Sequence, residues 1–152
     1  MANYDSIDCA WSWDGDYAVG IDGDLADTSA DLLQSLVTEI QTIVKSETFD
    51  WEKDPGFAVN LADFQGQPNV RQIGQLIESR IKSTLTEFGL VSAGDLQVKT
   101  VPTHQNEILI ALSVKVAPTL ENGLSVNDPI QVHFVYNTQE RSIFFLLDNK
   151  AK

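Results

Sequence analysis

The sequence predicts an α+β fold: an N-terminal β-hairpin, two amphipathic helices and a C-terminal, mostly antiparallel sheet of about four strands. Three observations lead there. Residues 28–45 and 70–88 repeat apolar side chains at the helical period. After Gly94 the period drops to two. Helical and strand-like stretches are grouped rather than alternating, which separates this plan from a doubly wound α/β sheet. A chain of 152 residues suits a single domain, 1–152, with enough length to bury a core.

The N-terminal stretch "WSWDGDYAVGIDGDLADTS" contains Asp-Gly-Asp twice, at 14–16 and 22–24. Asp-Gly tolerates positive φ and joins short strands. Residues 7–13 and 17–21 are β-like, so the order reads strand, turn, strand, turn, helix. A calcium loop fails on spacing, because an EF-hand needs oxygen ligands at positions 1, 3 and 5, Gly at 6 and Glu at 12. Counted from Asp14, positions 5 and 6 are Ala18 and Val19; counted from Asp22, positions 5, 6 and 12 are Ala26, Asp27 and Leu33. No metal is expected here.

The first helix is expected to start near Thr28, where Thr28 and Asp31 resemble a capping box. Leu32, Leu33, Leu36, Val37, Ile40, Ile43 and Val44 make a core-facing stripe, and Lys45 suits the negative end of the helix dipole. The connection 46–69 carries two turn signals, Pro55-Gly56 and Gly66 with Pro68, together with Phe49, Trp51, Phe57, Leu61 and Phe64. So many apolar side chains in one connection must pack on the core or on a partner. The second helix is predicted over 70–88, with Ile73, Leu76, Ile77, Ile81, Leu85 and Phe88 on one face and Gly89 ending it.

Leu96, Val98 and Thr100 then alternate with Gln97 and Lys99. Ile108, Ile110, Leu112, Val114 and Val116 share one face of a long strand, and Ile130, Val132, Phe134 and Tyr136 share a face of the next. "NTQERS" reads as a hairpin turn leading into residues 142–147, apolar on both faces. Such a strand is either central or an edge that a partner covers. The loop 118–129, with Pro118, Gly123 and Pro129, leaves room for this hairpin to sit apart from the helices.

Acidic residues outnumber basic ones 22 to 10, a net charge of −12, which repels nucleic-acid backbones and anionic lipid and attracts a basic protein. Cys9 is the lone cysteine, so neither an intramolecular disulfide nor a cysteine-rich zinc site is available, and it reads as a small buried hydrophobe. There is no basic-then-apolar signal pattern and no apolar run approaching the roughly 20 residues of a membrane helix. A cytoplasm-like site of synthesis is expected.

Little in the chain points to catalysis. His104 and His133 stand alone, and His-Glu-x-x-His, Gly-x-Ser-x-Gly and phosphate-binding glycine loops are missing. Glu39, Glu47, Asp50, Glu52 and Asp54 leave one enzymatic alternative, a cell-wall glycoside hydrolase, which needs two carboxyls about 5–9.5 Å apart. Solvated surface acids are the preferred reading, and no catalytic residue or cofactor is assigned.

The segments "GDLADTSADLLQSLVTEIQTIV", "ETFDWEKDPGFAVNL", "DLQVKTV" and "EILIALSVKV", with an amphipathic helix between the second and third, follow a known order. The chain resembles the baseplate wedge proteins, or sheath initiators, of contractile-tailed phages and related injection machines, a family sometimes labelled lysozyme-like. The resemblance spans about residues 7–147. Its best motif is Trp51 with Asp54, Pro55, Gly56 and Phe57, similar to the family's acidic-Pro-aromatic-Gly stretch. Here Gly precedes the aromatic, and Ala58 stands where Gly is expected. Some relatives carry Glu-Pro-Arg after the second helix; Glu87-Phe88-Gly89 lies there, so only Glu87 matches.

The resemblance implies a structural, non-enzymatic protein of the virion tail baseplate, assembled in the host cytoplasm. Several copies would surround the tail axis and contact other wedge proteins, the tail tube and sheath subunits. Protein-binding residues would be Trp51, Asp54, Pro55, Gly56, Phe57 and Glu87, with Ile143, Phe144, Phe145 and Leu146 in the strand that starts the sheath.

Overall fold

The computed structural model describes residues 9–10, 16–27, 32–54, 56–68, 70–115 and 129–146, with the backbone alone at 32–35. Two helices lie on one face of a four-stranded antiparallel sheet, an α+β architecture. The elements are α1 (Leu32–Lys45), a one-turn 3-10 helix (Leu61–Phe64), α2 (Arg71–Glu87), β1 (Leu96–His104), β2 (Glu107–Val114), β3 (Ile130–Asn137) and β4 (Ile143–Leu146). The sheet is a meander in the order β1-β2-β3-β4.

Strict alternation fixes the register. Thr100, Ile110, Phe134 and Phe145 form one row across the sheet, and Pro102, Ile108, Tyr136 and Ile143 the next. Most of these side chains point at the helices. Leu36, Ile40, Ile43 and Val44 of α1, Ile77, Ile81 and Leu85 of α2, and Ile110, Leu112, Phe134 and Tyr136 of the sheet share one core. The opposite face carries the row Val101, Leu109, Val135 and Phe144.

α2 begins one residue later and ends one earlier than 70–88, with Val70 and Phe88 as caps and Gly89 at φ +70°. Leu76 does not join its stripe: it is 56% exposed. At 100° per residue it sits about 120° from the centre of the buried arc. Gly74 and Thr84 are buried there instead. The Thr28–Asp31 cap, the side chains of Leu32 and Leu33, Val116, most of the loop 118–129 and residue 147 lie outside the described residues.

The connection between the helices is drawn onto the core in its second half. Val59, Leu61 and Phe64 are buried. Arg80 stacks over the Phe64 ring at 4.7 Å and pairs with Asp63 at 2.6 Å. The Tyr136 hydroxyl donates to the Leu61 carbonyl at 2.8 Å, tying β3 to the 3-10 turn.

That phenol sets an alkaline limit. Burial pushes the Tyr136 pKa up; Arg141 pulls it down, while Glu47 and Asp63 push it up further. The folded state therefore holds this proton to higher pH than the unfolded chain. Its contribution is complete below about pH 10 and is lost as pH rises through the raised folded value. Burial lowers the Lys45 pKa and acts with the opposite sign, favouring the folded state as pH rises toward the ordinary lysine value of 10.5. Tyr136→Phe is expected to cost about 1–3 kcal/mol near neutrality, because it removes the Leu61 carbonyl's donor. It should also flatten the alkaline fall. Urea melts of both proteins from pH 8 to 11.5 check this, and parallel curves would mean that Tyr136 does not set the limit.

At the N-terminus, Cys9 bridges Asp27 and Val19 bridges Leu25, both antiparallel. Ala10 donates to Ala26, Ala26 to Ala18 and Ala18 to Ala10, closing a ring of main-chain hydrogen bonds at 2.8–2.9 Å. The second Asp-Gly-Asp turns this segment. Gly23 has φ +82°, Asp22 Oδ1 accepts from Asp24 N–H, and Gly20 N–H donates to Asp24. The chain thus returns as an extended stretch after this turn before α1. Asp14 and Gly15 lie outside the described residues.

Candidate functional site

A meander of four strands has two edges, and they differ in chemistry. On β1, Thr100 N–H donates to Glu78 Oε1 at 2.7 Å, so its amide points away from β2 and is already occupied. The Thr100 hydroxyl donates to the same oxygen at 2.9 Å. By alternation the next outward amide belongs to position 102, which is a proline and has no N–H. The register breaks between Pro102 and His104. A carboxylate, a proline and an irregularity together close this edge to strand addition.

β4 has none of these devices among the described residues. Asn137 N–H donates to Ser142 C=O at 2.9 Å, so by alternation Phe144 and Leu146 bond β3 while Ile143 and Phe145 direct their main-chain groups outward. The side chains divide the other way. Ile143 and Phe145 pack on the core, Phe145 5.3 Å from the Phe134 ring and beneath Lys45 Nζ at 5.0 Å. Phe144 is 59% and Leu146 48% exposed. A strand that is apolar on both faces is therefore half covered, at the edge of the sheet.

The second group of site residues forms a turn after α1. The Trp51 indole N–H donates to Ser46 Oγ at 3.0 Å, and Ser46 Oγ donates to the Thr42 carbonyl at 2.6 Å. Trp51 meets Phe57 edge-on at 5.3 Å, and Phe57 meets Phe88 at 4.7 Å. This chain of rings fastens the turn to the far end of α2. Asp54 and Gly56 are exposed; Asp54 accepts from Phe57 N–H at 3.0 Å, and Pro55 lies outside the described residues. Glu87, the last residue of α2, is exposed close to this group. The structure thus joins Trp51, Asp54 and Phe57 in one turn that also holds Gly56, reaches α2 through Phe88, the neighbour of Glu87, and leaves β4 as a separate surface.

Phe49, one of the apolar side chains of this connection expected to pack on the core or on a partner, is turned away from the core. Its φ is +76°, and it is 80% exposed. Left-handed backbone at a bulky residue is a genuine outlier, and no sequence pattern marks it.

Of the five carboxylates weighed for glycoside hydrolysis, Glu39 lies half-buried in α1 and the other four fall on this turn. Glu47, Asp50, Glu52 and Asp54 are exposed. Two cavities stand elsewhere. One, about 490 Å³, lies at the end of the sheet against Gln67, Pro102, His104, Asn106 and Thr138 and is lined by no carboxylate. The other, about 440 Å³, lies between the start of α2 and β1, where Glu78 is the single acid. Among the described residues no group of three or more His, Cys, Asp or Glu is placed to hold a metal, and no helix is long and apolar enough to cross a membrane. No protein-family model, curated protein or solved structure matches this chain.

Proposed function

We propose that the chain is a non-enzymatic structural component of a contractile tail baseplate, which joins wedge proteins and starts sheath assembly. The observation that carries this reading is the contrast between the two edges: β1 is capped by Glu78 and Pro102, while β4 presents main-chain groups beside Phe144 and Leu146. In this reading an extended segment of a sheath subunit pairs with β4. Backbone hydrogen bonds give affinity, and alternate side chains give register. The ring-pinned turn at Trp51–Phe57 and Glu87 would take the wedge contact. The finer plan of an N-terminal β-hairpin and two amphipathic helices belongs to the same proposal, as do location in the virion, several copies about the tail axis and the lack of nucleic-acid or membrane contacts.

Proline placement tests it. Ile143→Pro removes an outward donor without touching the β3 ladder, whereas Phe144→Pro breaks that ladder. Ile143→Pro is expected to keep the fold by circular dichroism yet lose nucleation of purified sheath subunits, read by sedimentation. If Ile143→Pro unfolds, Phe144→Asp with Leu146→Lys changes only exposed side chains and serves instead. A folded variant that nucleates sheath at the normal rate removes β4 as the docking edge. Clearing of peptidoglycan, lost on substituting Glu39, Glu47, Asp50, Glu52 or Asp54, would favour the hydrolase reading.

A further inference from the structure

The edge of β4 has two sides, and they suit different side chains. Ile143 and Phe145 direct their main-chain groups outward, so an incoming strand is held at those two positions. Its residues then alternate, like those of β4, between the helix side of the sheet and the far side. On the far side they stand beside Phe144 and Leu146, both exposed. Val135 pairs with Phe144 and His133 with Leu146, and both are half-buried. Apolar residues at these two positions extend the far-side rows and cover Phe144 and Leu146.

The helix side carries a charge. The row Thr100, Ile110, Phe134 and Phe145 ends at this edge, and Lys45, the last residue of α1, holds its Nζ 5.0 Å from the centre of the Phe145 ring. A new strand lies about 4.8 Å beyond β4, so the next position of the row falls about 7 Å from that ammonium, a gap that an aspartate or glutamate side chain can close. Burial lowers the Lys45 pKa, so its charge is partly stripped of water and a carboxylate would compensate it. An ammonium has three donors, so Lys45 can take this partner beside any that it already holds. The neighbouring row, at Tyr136 and Ile143, has no such preference: Arg141, Glu47 and Asp63 all act on the Tyr136 hydroxyl, a mixture of both signs.

We propose that the strand received by β4 reads apolar–acidic–apolar, with the acid opposite Phe145 and the apolar residues opposite Phe144 and Leu146. The inference rests on β4 being the docking edge; it does not depend on the partner being a sheath subunit. The pattern is symmetric about Phe145, so it holds for a parallel or an antiparallel strand. It also runs against the charge of the chain as a whole. A net charge of −12 repels acidic segments, so an acid is favoured at this one position and disfavoured around it. Charge placement of that kind selects one partner strand over others.

Short peptides of the form Ser-Thr-Val-X-Val-Thr-Ser, with blocked ends and Glu, Gln or Lys at X, test it. Each is titrated into the intact protein up to millimolar concentration, and binding is read from the amide chemical shifts of residues 143–146. The Glu peptide is expected to move the Ile143 and Phe145 amides and to bind roughly three- to tenfold more tightly than the Gln peptide, with the Lys peptide weaker still. Replacing both valines of the Glu peptide with alanine should weaken it. Lys45→Met keeps an unbranched stem over Phe145 without the charge and should abolish the preference for Glu. Lys45→Glu should reverse it, so that the Lys peptide binds best; if that variant does not fold, Lys45→Met decides alone. Peptides that bind alike, or a Glu preference that survives Lys45→Met, overturn the acidic position and leave β4 as the docking edge. If no peptide moves the Ile143 and Phe145 amides, the docking edge falls with it.

Discussion

Replacing Phe134 with alanine is expected to cost about 3–5 kcal/mol and to loosen β4 as well as the core. Phe134 is fully buried at the centre of the row that begins at Thr100 and ends at Phe145. Removing its ring leaves a hole beneath Ile110 and withdraws the surface on which Phe145 rests 5.3 Å away. β4 has only four residues and, among the described residues, pairs with β3 alone, so it depends on that support more than the longer strands do. The outcome is read twice: in urea melts, and in hydrogen exchange at 143–146, which should accelerate beyond the global loss of stability. Phe144→Ala, at an exposed position on the same strand, should stay within about 0.5 kcal/mol of the parent. Equal costs for the two would mean that β4 is not divided into a core face and an open face.

Gly74→Val should cost about 1–3 kcal/mol. A Cβ at position 74 would lie 2.5 Å from Thr100 Oγ1 and 3.4 Å from its Cβ. Thr100 cannot swing aside cheaply, because its hydroxyl and its amide both bond Glu78. Either α2 lifts from β1, at an overpacking cost of about 1–3 kcal/mol, or the charged hydrogen bonds break, at about 1.5–3 kcal/mol. Gly74→Ala meets the same oxygen, but a gain of about 1 kcal/mol in helix propensity offsets part of the cost. Thr100→Ala removes the obstacle, so the pair Gly74→Ala with Thr100→Ala should be more stable than the sum of the single changes. Additive costs in that cycle would show that the two residues do not touch.

The parts of this fold that repeat were legible in the sequence. Ile108, Ile110, Leu112 and Val114 announce their shared face by alternation, and Ile77, Ile81 and Leu85 theirs by helical spacing; both are local properties. Leu76 misleads because composition alone cannot say where a stripe ends. Gly74 escaped because its role depends on Thr100, which is nearby only after α2 folds onto β1. The candidate site was legible as residue types and not as geometry. The acid-rich aromatic run predicts a packed connection, and Phe57, Leu61 and Phe64 do turn inward. The outward set of Phe49 arises from a carboxylate closing a turn, which no periodicity encodes. Which sheet edge is open likewise depends on pairing order and on Glu78, a residue on a helix 22 positions before the amide it caps.

The unequal edges give the sheet a direction. With β4 as the docking edge proposed above, the described residues make, in the vocabulary of polymer chemistry, a monofunctional unit: one growing end, and one end already terminated by Glu78 and Pro102. A strand that adds at β4 contributes its own outer edge, so any further growth is decided by the incoming chain and not by this one. On that proposal such a unit would initiate or cap a series of paired strands and would not sit in its middle. It also cannot template a two-sided ladder of its own copies, because a ladder needs an acceptor on both flanks of every member.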